Sequence, residues 1–283
     1  MKKTLVFSAI ILLLGEFCSS AQVTLSNGKA LNFPTKKIGI SLGNSCDFTG
    51  IRINFEDRNT KVVNGLNVTF WSDDALKFEG WINKATNNTT VNGISIGIIP
   101  TAGSMQPICI GLLGIKTSPG NLNGISVGGV GIWSEGNING ISVSGLFTQT
   151  NVISGISISG LIVGGTGGIK GLALSGIAVS SDISDIYGVA GTLGLLYCGR
   201  NYKGIGIAGI FLRSDTFYGL AIASIANTKR MSGLSIALYN RTTELHGLQF
   251  GLLNYAGNNP KGFRILPFIN MHLKKNGKSD QEN

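Results

Sequence analysis

Asn139-Gly-Ile-Ser-Val-Ser-Gly-Leu146, Ser154-Gly-Ile-Ser-Ile-Ser-Gly-Leu161, Lys170-Gly-Leu-Ala-Leu-Ser-Gly-Ile177 and Lys203-Gly-Ile-Gly-Ile-Ala-Gly-Ile210 are versions of one short phrase. The phrase recurs. Aligned on its first Gly, it falls at Gly65, Gly93, Gly124, Gly140, Gly155, Gly171, Gly188, Gly204, Gly219, Gly233, Gly247 and Gly262, with spacings of 14 to 17 residues from Gly124 onward. A fixed period of this length marks a repeat architecture. With that Gly as position 0, position −2 is large and apolar from Val63 to Leu245, and only Pro260 departs. Position +1 is apolar throughout and +3 is apolar, with a local shift to Leu193 after Gly188, while +2 and +4 are mostly Ser, Ala or Gly. This alternation is that of a strand, not of a helix.

The alternation breaks once per repeat. Position +5 is small (Gly129, Gly145, Gly160, Gly176, Gly209), and apolar residues return at +6 (Val130, Leu146, Leu161, Ile177, Ile210). Gly suits a corner where the backbone needs positive φ or close approach. Two corners, at 0 and at +4/+5, and a polar loop such as Arg213-Ser-Asp215 close each repeat into one coil. The fold expected is all-β, a parallel β-solenoid of about twelve coils. Its core is expected in stacked columns at −2, +1, +3 and +6. The small residues at +2 and +4 would then form a flat outer face, suited to packing on another rod, a membrane or a glycan. The alternative is an antiparallel meander or outer-membrane β-barrel. Barrel strands, however, keep one alternation for about 10 residues.

The organisation expected is a signal peptide at 1–21, an N-terminal cap segment at 22–62, the repeats at 63–257, and a C-terminal cap with a charged tail at 258–283. The caps are polar and irregular, as open solenoid ends require. Lys2, Lys3, the apolar run Leu5–Gly15 and the small residues Ser19-Ser-Ala21 read as a secretory leader with Gln22 as the mature start. The rival reading is a lipoprotein acylated at Cys18; Glu16-Phe17 before it fits poorly. No later segment reads as a transmembrane helix. The chain is expected at the outer surface or outside the cell, with the periplasm as the other destination.

Composition agrees. Of 283 residues 42 are Gly, about twice the usual share, and 13% are charged, about half of it. That excludes a disordered chain, and the cost of Gly in helices argues against a helical protein. Net charge is +9, and +8 without residues 1–21. The excess favours an envelope component, a glycan or another anionic surface as partner. Without interleaved aromatics there is no sign of specific nucleic-acid recognition. Cys46, Cys109 and Cys198 would remain in the mature chain, an odd number that allows one disulfide at most.

Met231-Ser-Gly-Leu-Ser-Ile-Ala-Leu-Tyr-Asn240 and His246-Gly-Leu-Gln-Phe-Gly-Leu-Leu-Asn254 resemble the Gly-Leu-Gln-Ile-Gly-Leu-Ile-Asn repeats of bacterial surface-repeat proteins. The resemblance covers about residues 60–270, more loosely between Gly124 and Gly219. It implies a surface location and carries over no catalytic residue.

Chemical motifs are few. Ser95 and Ser126 fit Gly-x-Ser-x-Gly, but they sit in the repeat and read as small outward strand residues. Gly204-Ile-Gly206-Ile-Ala-Gly209 fits a dinucleotide fingerprint but is a repeat unit with no helix after it. Gly164-Gly-Thr-Gly-Gly168 reads as a turn. His246 lacks a neighbouring cluster and reads as a solvated strand residue. Asp182 and Asp185 share a loop, read as solvated in preference to a Ca²⁺ site; Asp73-Asp74 is read likewise. Residues 91–180 hold three charges, Lys116, Glu135 and Lys170, too few for acid–base work. Asn240 and Asn254, both at +7, are expected to form a hydrogen-bonded ladder. No catalytic, cofactor-binding or metal-binding residue is assigned, and no cofactor is expected. The reading is a non-enzymatic secreted or cell-surface protein with a structural or adhesive role. A pore or anchor barrel is the first alternative, and a polysaccharide-acting solenoid using Asp182, Asp185 or Arg213 the last.

Overall fold

The computed structural model describes residues 30–57, 60–72 and 89–273. The expected leader, Asp73-Asp74 and the end of the charged tail lie outside the described residues. The chain divides into two units, Met1–Ser144 and Gly145–Asn283. The first holds β1 (Ala30–Pro34), β2 (Ile38–Gly43), β3 (Asp47–Asp57), β4 (Val62–Ser72), β5 (Thr90–Gly97), β6 (Thr101–Ala102), β7 (Ser104–Gly111), β8 (Gly114–Thr117), β9 (Leu122–Gly128), β10 (Gly131–Ser134) and β11 (Asn137–Ser144). The second holds β12 (Phe147–Ser159), β13 (Ile162–Ser175), β14 (Ala178–Ser181), β15 (Ile186–Thr192), β16 (Leu195–Ala256), a 3-10 turn (Lys261–Phe263) and β17 (Ile265–His272).

Each unit is a parallel β-solenoid, not a barrel. Strands pair in parallel with their counterparts one repeat on: β3 with β4, β4 with β5 and β9 with β11 in the first unit, β13 with β15 and β15 with β16 in the second. The repeat Gly residues stand in register. Gly39, Gly50, Gly65 and Gly93 form one column, which Pro107 continues; Gly155, Gly171, Gly188 and Gly204 form another. This roster differs from the twelve Gly read from the sequence. Gly39, Gly50 and Pro107 join it, and Gly262 falls in the 3-10 turn. Thus β2 and β3, inside the segment assigned to an N-terminal cap, already carry the column. Gly171 shows why the column is Gly: its φ is +124°, and a Cβ there would overlap the carbonyl oxygen of Gly155. The parallel stacking ends in antiparallel strands. In the first unit β1 pairs antiparallel with β2, and in the second β17 pairs antiparallel with the last coil of β16.

The core corrects the expected inside and outside. The −2 column is buried, from Val63, Val91, Leu122 and Ile138 to Ile153, Ile169, Ile186, Tyr202, Phe217, Met231 and Leu245. The alternation then runs straight through position 0, because the Gly there bends the chain while keeping it extended. Positions +2 and +4 therefore face inward with −2, and +1 and +3 face outward. Ser157 is 0% exposed and Ile158 40%. Inside, the opposite wall supplies the bulk: Val163, Val179, Leu196 and Leu212, eight residues after their column Gly, are all buried. That leaves little room at +2. A Cβ on Gly206 would lie 3.0 Å from Leu196, 3.1 Å from Phe217 and 3.2 Å from Leu212. The flat outer Ser/Gly/Ala face does not exist; those residues are the narrow lining of the coil.

The larger polar side chains inside are bonded through most of their atoms, although Ser41 Oγ, Ser181 Oγ and Arg52 Nε are buried with no partner. Arg52, at +2 of its coil, is 0% exposed and donates to Asp57 (2.5 Å), Asn67 (2.8 Å), Asn44 (2.7 Å) and Thr60 (3.2 Å). The Asn240 amide donates to Asn254 Oδ1 at 2.8 Å, the ladder expected from the sequence, and to the Phe250 carbonyl at 2.9 Å. At the antiparallel end Asn270 donates to the Asn254 carbonyl (3.2 Å), and Asn259 donates to Asn270 Oδ1 (2.7 Å).

Candidate functional surface

Most of the motif residues come to rest inside the coils or in bonded positions. Ser95 and Ser126 are buried at +2, not outward as read from the sequence. Ser95 lies beside Cys109, whose thiol burial pushes up to about 12 despite the Ser95 hydrogen bond. Cys46, Cys109 and Cys198 are all free, so the one disulfide that the count allowed is not formed. Gly204–Gly209 is strand, and so are Gly164, Gly165 and Gly168, which were read as a turn.

Asp182 is exposed, but Asp185 is bonded: it accepts from the Asn201 backbone N–H (3.1 Å), the Asn201 amide (3.0 Å) and the Tyr187 hydroxyl (2.9 Å). Against the upward push of desolvation, these bonds hold its carboxyl below the usual range. Among the described residues no three His, Cys, Asp or Glu side chains gather as a metal site requires.

His246 is not the solitary residue that the sequence suggested. Its Nε2 lies 3.0 Å from Glu244 Oε1, and Arg230 donates to Glu244 Oε2 at 2.7 Å. Bonds from Arg230 and His246 hold the Glu244 carboxyl below the usual range. The antiparallel register of Gly247 with His272 brings the second imidazole to 6.1 Å, edge to face. No sequence spacing reveals that pair, because β17 returns against the parallel direction of the stack.

What each unit presents on its outside is an apolar ladder. In the first unit the +1 and +3 positions give Ile94 with Ile96 and Ile125 with Val127, and Phe55 stacks on Phe70 with centroids 6.0 Å apart. In the second they give Ile156 with Ile158 and Ile205 with Ile207, and Leu161, Ile177 and Ile210 continue the ladder past the +5 corner. Ile210 is 58% exposed. From +1 to +6 the coils of the second unit carry no charged residue.

Position −1 borders this ladder on the same outward side, and it differs between the units. In the first it is a row of amides: Asn92 donates to Asn64 (2.9 Å), Gln106 to Asn92 (2.9 Å) and Asn139 to Asn123 (2.8 Å). A shallow depression beside this row is lined by Asn92, Gln106, Pro107 and Asn123. In the second, four successive positions alternate cation and ring, from Lys170 to Tyr218. Lys203 Nζ lies 5.6 Å from the Tyr187 centroid and 5.7 Å from that of Tyr218, so aromatics are interleaved with cations here, contrary to the expectation from the sequence. The recurring polar residue before each Gly was the signal that could have found both rows.

No family model, curated protein or solved structure matches this chain. Among the described residues no helix is long and apolar enough to cross a membrane.

Proposed function

We propose that this chain is an exported, non-enzymatic protein of the bacterial cell surface that works by contact, as a structural or adhesive module. The observation that carries the reading is the outward apolar ladder repeated coil after coil in each unit. A β-solenoid can fill its interior with its large side chains; here the Ile, Val and Leu of +1 and +3 stand outside, and Ser, Ala and Gly stand within. Contiguous exposed apolar area of this kind is characteristic of surfaces that bind something. The interior offers little to a substrate, being closed by the −2 residues and the wall opposite. The leader-like residues 1–21 and the resemblance of Gly247–Asn254 to surface repeats support the location. An envelope component, a glycan or another anionic surface is the partner class that the positive charge suits.

The test is cell fractionation followed by binding. The chain expressed with its leader is expected in the envelope or the medium, shortened at residue 21. Purified, it is expected to bind an envelope fraction. Retention in the cytoplasm at full length, or no binding to any envelope fraction, would overturn the reading.

A further inference from the structure

The apolar ladder of the second unit has a border of specific composition. Every charged residue between Gly145 and Gly257 lies within six positions before a column Gly; seven are basic and four acidic. None lies on the ladder itself. Two of the acids are already matched, Asp215 by Lys229 at 2.8 Å and Glu244 by Arg230 at 2.7 Å. In the middle of the row beside the ladder stand Lys170, Tyr187, Lys203 and Tyr218, with Lys170, Tyr187 and Lys203 in register from coil to coil; Ser154 precedes them, and Ser232 and His246 follow. Lys203 is held between two phenol rings, and Arg213 lies 5.8 Å from the Tyr197 ring.

An apolar band edged on one side by Tyr and Lys is what a protein lying in a membrane interface presents. The band enters the acyl boundary, the rings sit at headgroup level, and the ammonium groups meet anionic headgroups. From the geometry of stacked strands, coils about 4.8 Å apart and residues about 3.3 Å apart make the band from +1 to +6 over seven coils roughly 29 Å by 17 Å. Two copies of a cationic chain repel, whereas an anionic bilayer attracts the border. A glycan would ask for rows of hydrogen-bond donors and acceptors, which +1 and +3 lack.

We infer that the outward face of the second unit docks on a phospholipid bilayer that carries anionic headgroups, with the +1 and +3 residues in the interface and the Lys170–Tyr218 row at headgroup level. This rests on the contact function proposed above and names its partner.

The experiment is flotation of the chain purified after export, with vesicles of phosphatidylcholine alone and of phosphatidylcholine and phosphatidylglycerol in equal parts. The protein is expected to float with the anionic vesicles and to be released by salt. Ile205→Ser with Ile207→Ser is expected to weaken binding more than tenfold, and Lys170→Gln with Lys203→Gln about tenfold. Both pairs are outward, and circular dichroism checks that the fold persists. Equal binding to both vesicle types overturns the inference, as does binding that both variants leave unchanged. A chain that ignores vesicles but forms a dimer lost in the Ile variants also overturns it, and assigns the face to a second copy. Binding to envelope fractions without binding to vesicles leaves the contact function standing and removes the lipid.

Discussion

Tyr202 lies flat on Phe217 inside the second unit, ring centroids 4.5 Å apart and planes 7° from parallel. The pair comes from successive −2 positions, so one coil's largest residue is the floor for the next. The Tyr202 hydroxyl donates to the Ile205 carbonyl at 2.6 Å and accepts from the Ala190 N–H at 3.0 Å. It thereby satisfies a backbone donor turned into the core. Phe217→Ala is expected to cost about 3–5 kcal/mol. Tyr202→Phe keeps the stack but orphans the Ala190 N–H, for about 1–3 kcal/mol. Denaturant unfolding of the two variants checks the order.

The same packing limits what +2 can hold. Gly206 faces Leu196, Leu212 and Phe217 at close range. Gly206→Val is expected to destabilise by about 1–3 kcal/mol through overpacking, although it raises local β-propensity. Ile207→Thr, one position on and 43% exposed, is expected to change stability by less than about 1 kcal/mol. Thermal unfolding separates the two.

Column glycines and loop glycines are expected to differ. Gly171→Ala places a side chain at φ +124° and against the Gly155 carbonyl, with a strain cost of about 1–3 kcal/mol before the clash is relieved. Gly262 has nothing within 4 Å of an added Cβ, and Gly262→Ala is expected within about 0.5 kcal/mol of the parent. Equal midpoints for the two would contradict the stacked column.

Burial should silence two thiols. Cys109 is held protonated at neutral and mildly alkaline pH, and burial raises Cys198 as well. Cys46 is half-buried. The folded mature chain is expected to react with a thiol reagent at Cys46 first, and at the other two only after denaturation.

Asp185 sets part of the acid limit. Its folded value lies below its unfolded value. Its contribution is therefore fully present above the ordinary carboxylate range and is lost as pH falls through the depressed folded value. Asp185→Asn is expected to lower stability at neutral pH and to flatten the loss between neutral and acid pH. Unfolding midpoints across that range check it.

The repeat, its strand character, the −2 core column and the Asn240–Asn254 ladder were legible in the sequence, because each is a matter of local period. The inside and outside of the remaining columns were not. Apolar residues at +1 and +3 look like core, and Ser157 or Ala173 at +2 look like surface. The outcome turns on what Gly does at position 0. A corner that reversed the alternation would have buried Ile158; an extended bend buries Ser157. Pro107 escaped the roster because it is not Gly, although its coil stacks on Gly93. Glu244, two residues before His246 on the same strand, was within reach of a local reading; the approach of His272 depends on an antiparallel return that no repeat announces.

The most direct test of the account is therefore the accessibility of two neighbours. Ser157→Cys and Ile158→Cys would be made singly and treated with a water-soluble maleimide under native conditions. Rapid labelling is expected at 158, and at 157 only after unfolding. Labelling at 157 with protection at 158 would contradict it, and would return the Ile and Val columns to the core.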